Sequence, residues 1–222
     1  MPLIQLESVV KDYALGETVV HAIKNVDLVI EKAEFISIYG PSGSGKTTIL
    51  NLIGTLDKIT TGRICFDGQD LGLLSDNRLT EIRNQQIGFV FQRFNLIPVL
   101  SALENVMLPL QLNGTFFNVA RKKALKQLEE VGLEKYVHHR PDKMSGGQQQ
   151  RVAIARALVT EPSLVIADEP TANVDTRTSL RLISLMRDLN HKKKTTFIFS
   201  THDQRLLDSV DRMIKLEDGK IQ

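Results

Sequence analysis

The sequence has one cysteine, no long apolar run and little net charge. Cys65 has no second cysteine for an internal disulfide, and its apolar neighbours Ile64 and Phe66 indicate a buried, unreactive thiol. The net charge of +2 gives no overall basic field, so we expect no nucleic-acid partner. No window approaches the ~18 consecutive apolar residues of a membrane span, and the N-terminus does not resemble a signal peptide. We therefore expect a cytoplasmic protein, and any membrane-spanning part of its system should belong to another polypeptide.

The distribution of apolar residues predicts an α/β fold. Residues 35–39 form a nearly continuous apolar run, which is typical of a parallel strand covered on both faces. Residues 3–10 and 26–30 predict half-exposed strands, and the second of them alternates in polarity. The other predicted strands are 63–67, 87–91, 164–167 and 196–200, with a small hairpin over 213–221.

Helical periodicity appears after the first buried strand and dominates the middle of the chain. Ser101 and Glu104 have the spacing of a capping box that opens a helix. No repeat or low-complexity linker divides the chain, so we expect one domain, 1–222, with a helical insertion at about 93–160. The predicted helices are 46–56, 76–83, 118–131 and 176–190.

A glycine-rich segment lies between the strand at 35–39 and the helix at 46–56. It fits the pattern G-x-x-x-x-G-K-[ST], in which glycines let backbone N–H groups turn toward phosphate oxygens. The lysine supplies a charge for the β- and γ-phosphates, the threonine a hydroxyl for Mg²⁺, and the helix its positive end. A chance match is the alternative, but the order strand, loop, helix disfavours it. The sequence therefore predicts binding and hydrolysis of Mg-ATP by Gly40, Pro41, Ser42, Gly43, Ser44, Gly45, Lys46 and Thr47, with Thr48 next to them.

Two acids end the buried strand at 164–167. Charge at this place needs a partner, and Mg²⁺ is the natural one beside a phosphate loop. We expect Asp168 to hold the metal, directly or through water, and Glu169 to orient or deprotonate the attacking water. An apolar strand followed by two acids is a weak signal alone and gains weight only from the phosphate loop.

The segment Met144-Ser145-Gly146-Gly147-Gln148 resembles the signature loop of ABC transporter nucleotide-binding subunits, which usually begins with leucine. The resemblance covers essentially the whole chain. It implies a P-loop NTPase core with a mixed sheet, an N-terminal antiparallel β subdomain and a helical signature subdomain. It also implies a head-to-tail homodimer in which Ser145, Gly146, Gly147 and Gln148 of one copy close over ATP held by the other. From the residues alone, Ser145 can cap the following helix, whose N-terminus then offers an anion site.

Further roles follow from the same resemblance. Tyr13 looks like the aromatic residue that stacks on adenine, although packing is its simpler explanation. Gln92 resembles the glutamine that contacts Mg²⁺ and senses the membrane partner, and His202 resembles the switch histidine at the γ-phosphate. Asp175 matches the loop that crosses the dimer interface, and it is also a good N-cap for the helix at 176. The expected catalytic set is Glu169, His202, Lys46 and Gln92; the expected metal ligands are Thr47, Gln92 and Asp168.

The short length and the segments 88–98 and 167–171 look most like the lipoprotein-release and macrolide-export group. This likeness implies a separately encoded membrane permease subunit, attachment to the inner face of the membrane through that subunit, and room for a periplasmic adaptor. A regulatory or mechanical ABC ATPase acting on a cell-envelope or division partner is the alternative. A chromosome- or ribosome-associated ABC ATPase is disfavoured, because this chain has neither a long coiled-coil insertion nor two fused cassettes.

Three other groups of residues remain. An apolar cluster directly after Gln92 could form a groove for a membrane-subunit helix or belong to the helical core: Phe94, Leu96, Ile97, Val99 and Leu100. The basic runs 121–123 and 192–194 are best interpreted as solvated helix faces, although lipid or nucleic-acid contacts are the alternative. His138 and His139 are adjacent and make a poor metal-binding pair.

Overall fold

The computed structural model describes residues 1–16 and 18–222. Its strands, in chain order, are β1 (Ile4–Leu15), β2 (Thr18–Ile30), β3 (Phe35–Tyr39), β4 (Thr61–Phe66), β5 (Gln69–Asp70), β6 (Ile87–Val90), β7 (Leu164–Ala167), β8 (Thr196–Thr201), β9 (Arg212–Glu217) and β10 (Lys220–Ile221). They form two sheets. The first is antiparallel with the order β2-β1-β4-β5, and the second has the order β10-β9-β3-β8-β7-β6. In the second sheet only β10 runs antiparallel to its neighbour.

The helices are α1 (Lys46–Ile53), α2 (Asp76–Gln86), α3 (Ala102–Leu112), α4 (Phe117–Glu130), α5 (Gly146–Leu158) and α6 (Thr176–Lys193). Helices α3, α4 and α5 lie between β6 and β7 in sequence, where the helical insertion is predicted. The domain bounds themselves stay a prediction. Among the described residues, no helix combines the length and apolar character needed to cross a membrane.

Two buried clusters form the core. One joins α3, α4, α5 and α6 to one side of the six-stranded sheet, and its aromatic centre is Phe35, which packs against Phe197 and Phe199. The other lies between the antiparallel sheet, α1 and the opposite side of the six-stranded sheet. The six-stranded sheet is therefore apolar on both sides, as expected for parallel strands. Its strand ends can then carry chemistry on a rigid support.

The predicted α/β class is confirmed, but several bounds differ. The hairpin of β1 and β2 is much longer than predicted, because its ends pair from Ile4 with Ile30 to Leu15 with Thr18. Val19 and Val20 are exposed there, so no alternation marked this part as a strand. Helix α1 stops at Ile53 instead of continuing to Leu56, because Gly54 ends it. The short strand β5 was not predicted, and α2 and α6 extend three residues further than expected.

Several local predictions are confirmed. Ser101 and Glu104 form a complete capping box on α3. Cys65 is buried, and its burial raises the pKa of the thiol. Residues 121–123 are exposed on α4, whereas Lys192 and Lys193 form ion pairs with Glu130.

Candidate nucleotide-binding and catalytic site

The phosphate loop has the shape that its glycines predict. Gly45 has a φ of 103°, in the left-handed region that favours glycine. At Gly40 an added Cβ would lie 2.0 Å from the carbonyl oxygen of Leu216, so any side chain would collide with β9. The loop therefore depends on glycine both for its backbone conformation and for its fit against a neighbouring strand.

Helix α1 begins directly after this loop. Its N-cap is Gly45, and no side chain caps the helix, so its first backbone N–H groups are available to an anion. The side chain of Lys46 is almost fully buried, and its Nζ donates hydrogen bonds to Gly40 O at 2.8 Å and Pro41 O at 2.9 Å. A positive charge and a free helix N-terminus thus meet inside one loop, which is the chemistry of a phosphate site.

Strand β7 brings Asp168 to the same place. The Thr47 hydroxyl donates to Asp168 at 3.0 Å (Oδ2) and lies 3.2 Å from Oδ1. Ser200, fully buried at the end of β8, donates from Oγ to Asp168 Oδ1 at 2.7 Å and accepts from the Glu169 N–H at 2.8 Å. A hydroxyl and a carboxylate are the hard oxygen donors that Mg²⁺ prefers, so Thr47 and Asp168 fit a magnesium site.

Glu169 and His202 face each other across the ends of β7 and β8. The His202 Nδ1 lies 3.2 Å from Glu169 Oε1. The histidine side chain is 65% exposed and the glutamate side chain 23%, so both are accessible from solvent next to Asp168. Glu169 has a φ of 46°, an uncommon backbone conformation for a non-glycine residue. The pair has the position expected of a base and its partner.

The signature loop forms a second, separate pocket. Ser145 caps α5 through a capping box: Ser145 Oγ accepts from Gln148 N at 3.3 Å, and Gln148 Oε1 accepts from Ser145 N at 2.8 Å. The pocket has a volume of about 430 Å³ and includes Arg151 and Arg181, so it has cationic character. The described residues that line it include none from the phosphate loop; they are Gly132, Leu133, Tyr136, Ser145, Gly146, Gly147, Gln148, Arg151, Asn173, Val174, Asp175, Thr178 and Arg181.

Asp175 lies at the edge of this pocket and caps α6, as predicted. Its carboxylate accepts from Thr178 N at 3.0 Å and from Thr178 Oγ1 at 2.6 Å. These hydrogen bonds, the hydroxyl first and then the backbone N–H, hold the pKa of Asp175 below its ordinary value.

Two residues earlier, Asn173 Nδ2 donates to the backbone oxygen of Gln92 at 2.7 Å. The loop before α6 is thereby joined to the segment after β6.

Tyr13 lies on β1 and faces α1. Its hydroxyl donates to Asp57 Oδ2 at 2.7 Å, and the Lys11 Nζ lies 4.7 Å from the centre of its ring. Burial and the Asp57 hydrogen bond raise the pKa of Tyr13, while the Thr48 hydroxyl opposes this shift. Packing contacts therefore hold the ring next to the phosphate-loop helix. Stacking on adenine stays a prediction.

A family model described as ABC transporter matches residues 23–172, more than half of the chain. This chain belongs to the ABC transporter family. As an ATP-binding cassette it is a nucleotide-binding ATPase, and the fold and family predicted from the sequence are confirmed.

Relatives of the cassette come from several systems. It is 47% identical to an uncharacterized ABC transporter ATP-binding protein, MJ0796, of Methanocaldococcus jannaschii, over 99% of this chain and 95% of that protein. It is 46% identical to the lipoprotein-releasing system ATP-binding protein LolD of Legionella pneumophila, over 95% of this chain and 93% of the relative. The dimeric, post-hydrolysis structure of MJ0796 bound to ADP and Pi superimposes with a TM-score of 0.91 at 46% identity, covering 99% of this chain and 96% of that one.

Sequence reasoning missed several residues of the cassette's site. Ser200 joins Asp168 to the backbone of Glu169, and Asn173 joins the interface loop to Gln92. Arg181 contributes charge to the signature pocket from α6. A polar residue ending the strand beside β7 was the available signal for Ser200, since the carboxyl ends of neighbouring parallel strands meet at one edge. Asn173 and Arg181 have no comparable signal.

Proposed function

We propose that this cassette dimerises head to tail around two Mg-ATP molecules and drives a separately encoded membrane subunit of the lipoprotein-release or macrolide-export type. The proposal is supported by the separation of two pockets, each of which combines basic side chains with a helix N-terminus. One is the phosphate loop with Asp168 and Glu169, and the other is the cationic pocket at Ser145. Two copies placed head to tail bring one pocket of each kind to every nucleotide.

The proposed roles combine this geometry with the family resemblance, which alone supplies the roles of Gln92 and His202. Lys46 and the N-terminus of α1 bind the phosphates, while Thr47 and Asp168 hold the magnesium ion, with Gln92 as a further ligand. The ion neutralises charge on the phosphates when it is bound. Glu169 orients and deprotonates the attacking water, and His202 contacts the γ-phosphate. Ser145, Gly147 and Gln148 of the opposite copy complete the site.

The membrane partner is proposed from the relatives and from one groove. LolD is named for a lipoprotein-releasing system, and the cassette is 44% identical to a macrolide export ATP-binding/permease protein, MacB, of Hyphomonas neptunium, of which it spans only 34%. A groove of about 250 Å³ lies between α2, β6, α3 and α5. Phe89, Phe91, Leu108 and Leu112 give it apolar walls that fit a short amphipathic helix.

This groove differs from the one expected after Gln92. Of the predicted apolar cluster, Ile97 and Val99 are exposed, and Leu96 packs on the helical core. The groove's described lining residues include none of the five cluster members. The cluster therefore lies outside the lining of the proposed docking site, in which α3 and β6 contribute the largest shares, three residues each.

The dimer is tested by trapping it. We expect Glu169→Gln to keep ATP binding, to lose turnover by about a hundredfold or more because the base is removed, and to accumulate an ATP-bound dimer. Light scattering after size-exclusion chromatography measures the dimer. Adding Ser145→Arg to this variant should abolish the dimer while ATP binding to the monomer persists, because the new side chain fills the pocket that receives the partner's phosphate.

A matched control is available on α3. Ser101 forms the same type of capping box as Ser145, so Ser101→Arg removes an equivalent cap at a position that does not line the signature pocket. The Glu169→Gln, Ser101→Arg double variant should still dimerise. Equal loss of the dimer in both double variants, or full turnover by a strictly monomeric preparation, would refute the head-to-tail arrangement. Co-purification of a membrane protein with the cassette, with and without a transported substrate, separates export from a purely mechanical role.

A further inference from the structure

Four large apolar side chains are exposed between the last residue of α3 and the first turn of α4. Phe116 is 84% exposed, Leu112 75%, Phe117 62% and Val119 48%. We call these four residues the apolar tip. Isolated exposed apolar residues are ordinary, but four within eight positions, two of them phenylalanine, form a patch of the kind that marks an interaction site.

The tip has no structural explanation within the chain. Phe116 occupies the N-cap of α4, where Ser, Thr, Asp or Asn would stabilise the helix by about 1 kcal/mol, and no side chain caps this helix. Gly114 allows the sharp turn before it with a φ of 75°. The aromatic pair therefore stands at a helix start where a polar residue would improve folding.

Basic side chains continue from the tip along the exposed face of α4. Arg121, Lys122 and Lys126 are exposed, and among the described residues none of them has an ion-pair partner. We call these three residues the basic face. Positions 119, 122 and 126 follow helical spacing, so an apolar residue and two bases share one side. Between Glu104 and Glu129 the sequence contains no acid.

We infer that the apolar tip and the basic face form a contact with an anionic membrane surface. Aromatic and aliphatic side chains enter the boundary between headgroups and acyl chains, and bases beside them meet lipid phosphates. A protein partner is less well matched, because the tip projects outward and most of its side chains line none of the described pockets. Leu112 alone also lines the docking groove, so the tip continues that groove toward the bilayer in which a membrane subunit would stand.

The orientation of this contact rests on the proposed function, but lipid binding by the cassette alone does not. The test is flotation of the purified cassette with vesicles that mix phosphatidylglycerol and phosphatidylcholine, against pure phosphatidylcholine vesicles, at low salt. We expect binding to the anionic vesicles only, with loss of binding as salt rises.

Two variants and two controls make the test specific. Phe116→Ser with Phe117→Ser, and separately Arg121→Gln, Lys122→Gln and Lys126→Gln together, should each lower vesicle affinity by about tenfold or more. Leu73→Ser removes another strongly exposed apolar side chain, and Lys135→Gln, Lys194→Gln and Lys220→Gln together remove equal charge elsewhere. Both controls should bind like the original chain. ATP binding should be unchanged in all four.

Three outcomes would overturn the inference. The first is that the original chain does not bind anionic vesicles, and the second is that variants and controls lose vesicle affinity equally. The third is that the tip and basic-face variants bind vesicles like the original chain but no longer co-purify with a membrane subunit. The last would assign the tip to a protein partner. Each is independent of dimer trapping, so a failure here is distinguishable from a failure of the proposed function.

Discussion

Two helix N-termini of this molecule lie at the two pockets that we propose to meet nucleotide, and they are built in opposite ways. Helix α1 starts at Gly45 without any capping side chain, whereas α5 starts at Ser145 inside a complete capping box with Gln148. The first leaves its N–H groups for a ligand, and the second already satisfies two donors internally. In the proposed dimer, the core half binds the nucleotide, and the helical half is a preformed lid that contributes when another copy's nucleotide arrives.

Among the changes that test this comparison, removing the positive charge from the phosphate loop should have the largest effect. Lys46→Ala should lower ATP affinity by about a hundredfold or more, because a buried charge that faces phosphate is lost. Titration calorimetry with ATP measures it. Lys135→Ala, an exposed lysine outside the site, is the control. Affinity within a few-fold of the original would mean that the N-terminus of α1 holds the phosphates without help from Lys46.

The second largest effect should come from the buried hydroxyl that supports the proposed metal ligand Asp168. Ser200→Ala should lower the free energy of unfolding by about 1–3 kcal/mol, because the Glu169 N–H and Asp168 lose a buried partner. ATP turnover should fall with it. Ser37 is the matched control: it is also fully buried, on the adjacent strand β3, and its hydroxyl has no hydrogen-bond partner among the described residues. Chemical denaturation should show Ser37→Ala to be neutral or stabilising, and equal losses in both serine variants would contradict the bridging role.

The cap of α5 can be removed without any change in the phosphate loop. Gln148→Ala breaks the capping box on α5, so we expect about tenfold slower turnover from a misplaced signature loop, with unchanged ATP affinity in the isolated cassette. Glu104→Ala breaks the equivalent box on α3. Steady-state kinetics of the two variants, matched for stability loss, should differ strongly. If they slow turnover equally, the signature loop has no special part in the reaction.

The smallest effect should come from the ion pairs that join the helical half to the core half. Glu130 at the end of α4 pairs with Lys192 and Lys193 at the end of α6. Burial alone would raise the pKa of Glu130, but the hydrogen bonds from the two lysines outweigh it and hold this pKa below its ordinary value. A lowered pKa means that the contribution is present above the unfolded-state pKa and is lost as pH falls through the folded-state pKa.

Glu130→Gln should therefore lower the free energy of unfolding by about 1 kcal/mol at neutral pH, and the difference should vanish in acid. Urea denaturation across a pH series measures this, with the exposed Glu129→Gln as control. A deficit that persists at low pH would show that shape, rather than charge, explains the loss.

The sequence predicts contiguous features well and distant ones poorly. The strand, loop and helix around Lys46 were predictable because one motif spans them, and the capping residues at 101, 145 and 175 because a cap is set by local spacing. The Ser200 bridge depends on β7 lying beside β8, and the Asn173 hydrogen bond joins positions 81 residues apart. Neither pairing is encoded by local periodicity. The outer part of β2 was not predicted, because the adjacent Val19 and Val20 are both exposed. This segment therefore lacks the alternation of buried and exposed residues that marks a half-buried strand.

The hydrogen bond from Asn173 to the backbone of Gln92 has a thermodynamic consequence. Asn173 belongs to the loop that lines the signature pocket, and Gln92 belongs to the segment that borders the docking groove. If a ligand at either place favours one arrangement of this shared connection, the coupling acts in both directions with the same free energy. A peptide in the groove would then alter the strength of nucleotide-driven pairing by the same factor by which pairing alters affinity for that peptide.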